Sequence, residues 1–153
     1  MPNTYTQLYI QIVFAVKHRQ ALINEQIREE LHKYITGILI NKKHKLLAIY
    51  AMPDHLHLFI GMNPDVSLSS LVKEIKVQTN SFINAKMLTG HPFHWQKGYG
   101  AFSYAKSQKH NVIEYILHQK EHHQKNTFRK EYLEFLRIFE IDYDEKYLFE
   151  FFD

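Results

Sequence analysis

A chain of 153 residues, 45% hydrophobic and 23% charged with only 5 Gly and 4 Pro, has the size and make-up of one folded domain, which excludes two enzymatic lobes or a low-complexity polymer. It contains no cysteine, which excludes disulfide scaffolds, thiolate zinc sites and thiol nucleophiles and leaves His, carboxylate or amide as metal donors. The charge is segregated: residues 131–153 carry a net −6 within a total of +3, so residues 1–130 carry +9, the balance of a polyanion binder or of a solvated basic face.

Residues 1–130 are therefore expected to form the functional body, with 131–153 an acidic, aromatic extension of the same domain. No apolar run approaches the ~18 residues of a membrane helix, and Met1-Pro2-Asn3-Thr4 lacks the basic start of a secretory signal. No membrane contact is expected, and the expected location is the cytoplasm.

In chain order, residues 5–16 alternate, with Leu8, Ile10, Ile12, Phe14 and Val16 on one face and Tyr9, Gln11, Val13 and Ala15 on the other, the period of a half-buried strand. Asn24 offers a helix cap, and Ile27, Leu31, Tyr34, Ile35, Ile38 and Leu39 follow at helical spacing. Residues 46–52 and 55–62 read as antiparallel strands joined at Pro53, whose fixed φ forbids a type I′ turn and predicts a wider connection. Ser67 can cap a second helix with an apolar stripe of Leu68, Leu71, Val72, Ile75, Phe82 and Ile83, ending near Thr89-Gly90. A short strand at 101–105, a third helix from about 107 to 125 and a last short helix over 128–140 follow. Residues 143–153 form either a docked tail or an extended arm. The order β-α-β-β-α-β-α predicts an α+β fold of the ferredoxin-like or RRM-like kind: an antiparallel sheet with helices packed on one face and an open face for chemistry.

Two sets of residues carry that chemistry. His55 and His57 are two apart on a strand, so both imidazoles leave one face while Leu56, Leu58 and Ile60 enter the apolar layer. Alone, such a pair in a chain with 11 His reads first as structural or merely exposed. On the third helix Tyr115, His118, Gln119 and His122 share a face, with Val112, Ile113, Ile116 and Leu117 on the buried side. A metal on His55 and His57, completed by Gln119 one turn after Tyr115, would polarise a phosphate and place a phenol against it.

These residues stand within an ordered set: Met-Pro-Asp-His-Leu-His at 52–57, Trp-Gln-Lys-Gly-Tyr-Gly-Ala-Phe-Ser at 95–103, Tyr-Ile-x-x-Gln at 115–119, and Glu-His-His at 121–123 followed by Phe128 and Glu131-Tyr132. Over nearly its whole length the chain resembles the small single-tyrosine, IS200-like transposases of the HUH superfamily, which move insertion sequences as single-stranded DNA. The resemblance implies that Tyr115 is the nucleophile and that His55, His57 and Gln119 hold Mg²⁺ or Mn²⁺. It further implies a homodimer that recognises hairpins at the element's ends, cuts one strand and becomes joined to the 5′ phosphate through tyrosine, with active sites shared between subunits. Two imidazoles favour softer ions than Mg²⁺, so Mn²⁺ is expected to serve at least as well. His118, His122 and His123 are either further ligands or helix-surface groups. Lys17, Arg19, Lys42, Lys43, Lys45, Lys73, Lys76, Lys97, Lys106 and Lys109 are candidates for DNA phosphate contacts, and Tyr50, Tyr99 and Phe102 for base stacking or core packing. The competing functions are a non-catalytic nucleic-acid-binding module and a domesticated HUH nuclease that cuts without mobilising an element.

Overall fold

The computed structural model describes residues 3–152. Strands β1 (Tyr9–Ala15), β2 (Lys45–Ala51), β3 (His55–Gly61) and β4 (Gly100–Tyr104) form one antiparallel sheet in the order β2-β3-β1-β4. Helix α1 (Glu25–Asn41) connects β1 to β2, and α2 (Leu68–Ala85) connects β3 to β4, the split βαβ arrangement that the element order predicts. The chain then runs through α3 (Lys109–Leu117), the single turn α4 (Gln119–His122) and α5 (Phe128–Ile138). Both predicted caps form: Asn24 Oδ1 accepts from the Ile27 amide at 2.8 Å and Ser67 Oγ from the Ser70 amide at 3.2 Å, satisfying donors that the first helical turn leaves open. α2 stops at Ala85, short of the Thr89-Gly90 end expected for it.

Strand alternation divides the sheet's residues between two faces. Ile12, Phe14, Leu56, Leu58 and Ile60 are fully buried with Leu31 and Ile35 of α1 and Leu71, Ile75 and Ile83 of α2. Each such side chain contributes ~1.5–3 kcal/mol on leaving water, so this layer holds the fold. The strand register puts Val13 beside His57, Ala15 beside His55, and Gln11 between Phe59 and Phe102, all on the opposite face. That face lacks the α1/α2 layer. α3 lies along β2 and β3, while Phe135 and Phe139 of α5 stack on Phe102, with ring centres 5.0 and 4.9 Å apart. Between α3 and α5 the face opens into a cavity of about 570 Å³.

The C-terminal segment is docked. Phe149 is buried beside Tyr132, with ring centres 4.8 Å apart. The Gln96 side chain pairs with the Glu150 backbone, Nε2 donating to the carbonyl at 2.8 Å and Oε1 accepting from the amide at 2.7 Å. Arg19 donates to the Phe152 carbonyl at 3.0 Å. Asp153 lies outside the described residues.

β2 is an edge strand, and α1 satisfies its last residue before the hairpin into β3. The Ala51 amide donates to His32 Nε2 at 3.0 Å, and Arg28 Nε donates to the Ala51 carbonyl at 2.6 Å. Burial, aided by the Arg28 charge, lowers His32 to about 4. The imidazole is thus neutral in the fold, and the stability it contributes above its unfolded value near 6.5 is lost as pH falls towards 4. Lowering the pH from 7 to 4.5 is expected to cost wild type on the order of 2 kcal/mol more than His32→Gln, read from urea midpoints. Parallel pH profiles for the two proteins would refute this role.

Candidate active site

His55 and His57 open β3, and both are fully buried. Their Nδ1 atoms face fixed partners: His55 Nδ1 lies 2.7 Å from Asp54 Oδ1, and Gln11 Nε2 donates to His57 Nδ1 at 2.9 Å. Gln11 is itself held by the Tyr104 hydroxyl, which donates to Oε1 at 2.7 Å. The two Nε2 atoms converge on Glu131 Oε1 from α5, at 2.9 Å for His57 and 3.5 Å for His55, and His55 Nε2 has no hydrogen-bond partner. His123, just beyond α4, brings a third imidazole. Its Nδ1 lies 2.9 Å from the Asn126 carbonyl, and its Nε2 is 3.2 Å from Glu131 Oε1 and 2.9 Å from Gln119 Oε1. Glu131 Oε2 accepts a hydrogen bond from the Tyr115 hydroxyl. One carboxylate therefore joins three imidazoles to a phenol at the wall of the cavity, which Gln11, Tyr104, Tyr115, His122 and Phe135 also line.

The buried charges set one another's protonation. Burial pushes His55 down, but the Asp54 and Glu131 carboxylates outweigh it and raise the imidazole to about 9. Burial dominates at His57 and lowers it. Burial pushes the Glu131 carboxyl up, yet His57, His123 and His55 together hold it well below the usual carboxylate range. Burial first, then the Glu131 charge, raises Tyr115 well above an ordinary phenol. The resting site thus combines an ionised carboxylate with a protonated tyrosine at neutral pH.

The third helix differs from its expected form. It breaks at His118, whose φ of −106° and ψ of 27° separate α3 from α4. Leu117, expected on the buried side, is 48% exposed. His118 also points outward, with Nδ1 2.7 Å from the Glu114 carbonyl. Gln119 turns fully inward, and its Nε2 reaches back to the Tyr115 carbonyl at 3.4 Å, giving a partner to an acceptor near the break. His122 packs beside Tyr115, with ring centres 4.4 Å apart. Glu131 is the central group to which the sequence reading gave no role, although it stands in the ordered set above as a carboxylate eight residues after His123 in an otherwise apolar helix stripe.

The ten basic residues do not form one patch. Lys42, Lys43 and Lys45 lie near the start of β2, at the end of the sheet remote from His55, and Lys42 pairs with Glu74 at 3.5 Å. Lys106 and Lys109 follow β4 at that same end. Lys17 and Arg19 follow β1 at the histidine end, and the Lys17 amide ties them to the segment before Lys97 through the His94 carbonyl at 2.9 Å. Lys73 is exposed on α2, behind the sheet. Lys76 is turned inward, donating to the Gln96 and Gly98 carbonyls at 2.8 and 2.5 Å, and burial lowers it to about 8; it braces that loop and is not offered to a phosphate. Phe102 is core, Tyr99 packs at the core's margin, and Tyr50 lies 4.8 Å from the Arg28 guanidinium. Finally, the tyrosine and histidines meet within one chain. The connection after β4 is short and α3 returns over β2 and β3 of the same sheet, so a single chain brings together the tyrosine and histidines that the resemblance divides between two subunits.

A four-stranded antiparallel sheet presenting paired histidines beside a tyrosine defines the HUH type of DNA-processing protein. Residues 4–119 match the family model described as "Transposase IS200 like", and the chain belongs to that family. Two solved structures have the same fold. One is a protein designated a transposase from Deinococcus radiodurans R1, 20% identical, with a TM-score of 0.60 over 76% of this chain and 94% of that one. The other is a REP-associated tyrosine transposase bound to a REP hairpin, 18% identical, with a TM-score of 0.60 over 79% of this chain and 72% of that one. No curated protein matches. Among the described residues no helix is long and apolar enough to cross a membrane.

The place of Glu131 depends on how α5 seats against β4. A Cβ on Gly100 would lie 2.7 Å from the Tyr132 Oη and 2.8 Å from its Cε1, so only glycine lets the helix approach this closely. Gly100→Ala is expected to lift α5 and destabilise the protein by about 1–3 kcal/mol, with faster amide exchange along α5. An unchanged urea midpoint would show that this contact does not hold the helix.

Proposed function

We propose that this transposase cuts and rejoins hairpin-bearing single-stranded DNA through a 5′-phosphotyrosine, with Tyr115 as the nucleophile and His55, His57 and Gln119 holding Mg²⁺ or Mn²⁺. The observation that carries this reading is the Tyr115 hydroxyl, set between a buried histidine–carboxylate cluster and an open cavity of about 570 Å³. The fit to a cation rests on His55 Nε2, which is buried, turned inward and without a hydrogen-bond partner. The ion supplies Lewis-acid polarisation of the scissile phosphate when bound.

Cleavage begins with attack of the Tyr115 oxygen on phosphorus. The phenol proton passes through its hydrogen-bond acceptor, Glu131 Oε2, which is too weak a base to keep it, and on through water to the departing 3′ oxygen as the P–O3′ bond breaks. Rejoining reverses the exchange: a 3′-OH attacks the phosphotyrosine and the tyrosine oxygen leaves. One phosphoester replaces another, so no nucleotide hydrolysis is required. Burial and the Glu131 charge keep the phenol protonated in the resting site, so its proton leaves only as the attack proceeds.

The hairpin held by the REP-associated neighbour supports hairpin DNA as the ligand class. A homodimer would join two sites, each complete in its own chain, one for each end of a mobile element. Residues 1–130 and 131–153 act as one domain in this reading, because Glu131 serves the site, and the cytoplasm is the location that fits a transposase. The buried cluster beside a hydroxyl supports an enzyme over a bare binding module. Paired hairpins in the flanking DNA would separate an active transposase from a domesticated nuclease.

Tyr115→Phe is expected to abolish the covalent protein–DNA adduct while leaving hairpin binding within a few-fold, since only the attacking oxygen is lost. An adduct persisting on Tyr99 or Tyr104 would refute the assignment. Within a tagged heterodimer of Tyr115→Phe and His55→Ala, no adduct is expected, because neither chain holds a complete site. Its return on the His55→Ala subunit would demonstrate sites shared between subunits.

A further inference from the structure

We propose that His123 and Glu131, from beyond the family-matched segment, take the place given above to Gln119 in the metal site of this chain, so that the ion is held by His55, His57, His123 and Glu131. Glu131 would then face the ion with Oε1 while Oε2 accepts from the Tyr115 hydroxyl, the contact through which it takes the phenol proton. This deepens the reading of the histidine pair as a metal site and rests on it.

The four side chains offer donor atoms that all lie within 4.8 Å of one another. Around Glu131 Oε1 the three imidazole Nε2 atoms stand at 2.9, 3.2 and 3.5 Å. Neighbouring donors on an ion with bonds of about 2.1 Å are themselves about 3 Å apart; the three distances to Oε1 approach that spacing, and any pair near the 4.8 Å limit of the set must draw closer for one ion to reach all four. The outer nitrogens of His55 and His123 reinforce this, whereas His57 Nδ1 meets the Gln11 NH₂ group, which must turn over before His57 Nε2 offers a lone pair. Metal-binding imidazoles are oriented by an acceptor on the nitrogen that does not bind the ion, and here Asp54 serves His55 and the Asn126 carbonyl serves His123. With its Nδ1 proton directed at Asn126, His123 turns an Nε2 lone pair towards two oxygens, those of Gln119 and Glu131. A cation or a second proton must hold such a group together.

An ion-free cluster is the plain alternative: there His55 ion-pairs with Glu131 at 3.5 Å, but its fully buried Nε2 completes no hydrogen bond. Gln119 remains at the margin of the set, its Oε1 against His123 and its Nε2 on the Tyr115 carbonyl. Three imidazoles with one carboxylate suit Mn²⁺, Co²⁺ or Zn²⁺ better than Mg²⁺, which prefers oxygen and retains its water.

The test uses the full-length protein stripped with chelator and needs no DNA. Mn²⁺ binding is followed by loss of the free-ion EPR signal, and Co²⁺ by its visible absorption. Glu131→Gln and His123→Ala are each expected to weaken Mn²⁺ binding at least tenfold and to alter the Co²⁺ spectrum at saturation, whereas Gln119→Ala changes affinity less than about threefold. Wild type should prefer Mn²⁺ to Mg²⁺ by at least tenfold. In wild type, Zn²⁺ should shift the ¹⁵N signals of three imidazole Nε2 atoms, a readout that does not depend on any variant folding. If only two imidazoles shift, and Glu131→Gln and His123→Ala bind like wild type while His55→Ala does not, the proposal is overturned and the histidine pair keeps its metal. If His55→Ala and His57→Ala also bind unchanged, the underlying metal reading falls with it.

Discussion

A buried carboxylate is among the most costly groups a protein can hold, because removing its charge from water costs several kcal/mol unless partners replace the lost solvation. Glu131 is that group here, and its partners come from three separate parts of the chain: the start of β3, the turn after α4, and Tyr115 of α3. The carboxylate consequently ties the C-terminal helix to the sheet and to the nucleophile together. Asp54 extends the alternation outward, since it meets His55 at 2.7 Å on the side away from Glu131. The two carboxylates hold His55 between them and keep it charged in the ion-free protein.

The two faces of the sheet divide stability from chemistry. The α1/α2 face is filled with aliphatic and aromatic side chains, which tolerate no polar group without a partner. The opposite face carries Gln11, His55 and His57 buried, Gln11 held by Tyr104 of β4 and the two histidines turned towards Glu131 of α5. This face gains less from burial and depends on the fit of its cover. α5 achieves that fit with aromatic stacking on Phe102 and the glycine contact at Tyr132.

The strands, both long helices and their caps were legible because their signals are local: alternation, a 3.6-residue stripe, and Asn or Ser at the right place. His55, His57 and Tyr115 were legible as a motif whose spacing fixes their faces. Glu131 was not, since it pairs with His57 across 74 residues and sits in a segment whose acidity reads as a solvated tail. The break at His118 was equally hidden, because neither Gly nor Pro marks it; the pull of Gln119 and His123 into the cluster is a tertiary effect. Lys76 shows the same limit in charge counting, for a lysine contributes +1 to a sequence whether it faces a phosphate or a backbone carbonyl.

Gln11 gives the site a gear of its own. In the present orientation its NH₂ group faces His57 Nδ1, which fixes the proton of that neutral imidazole on Nε2, towards Glu131. Rotating the amide by half a turn would present Oε1 to Nδ1, move the proton to the outer nitrogen and bare the inner lone pair. The hydroxyl of Tyr104 can follow, because it accepts as readily as it donates. Two rotatable groups on β1 and β4 thus choose the tautomer of a histidine on β3 with no backbone displacement, and the sheet can exchange a proton-bearing nitrogen for an electron-pair donor at a fixed point in space.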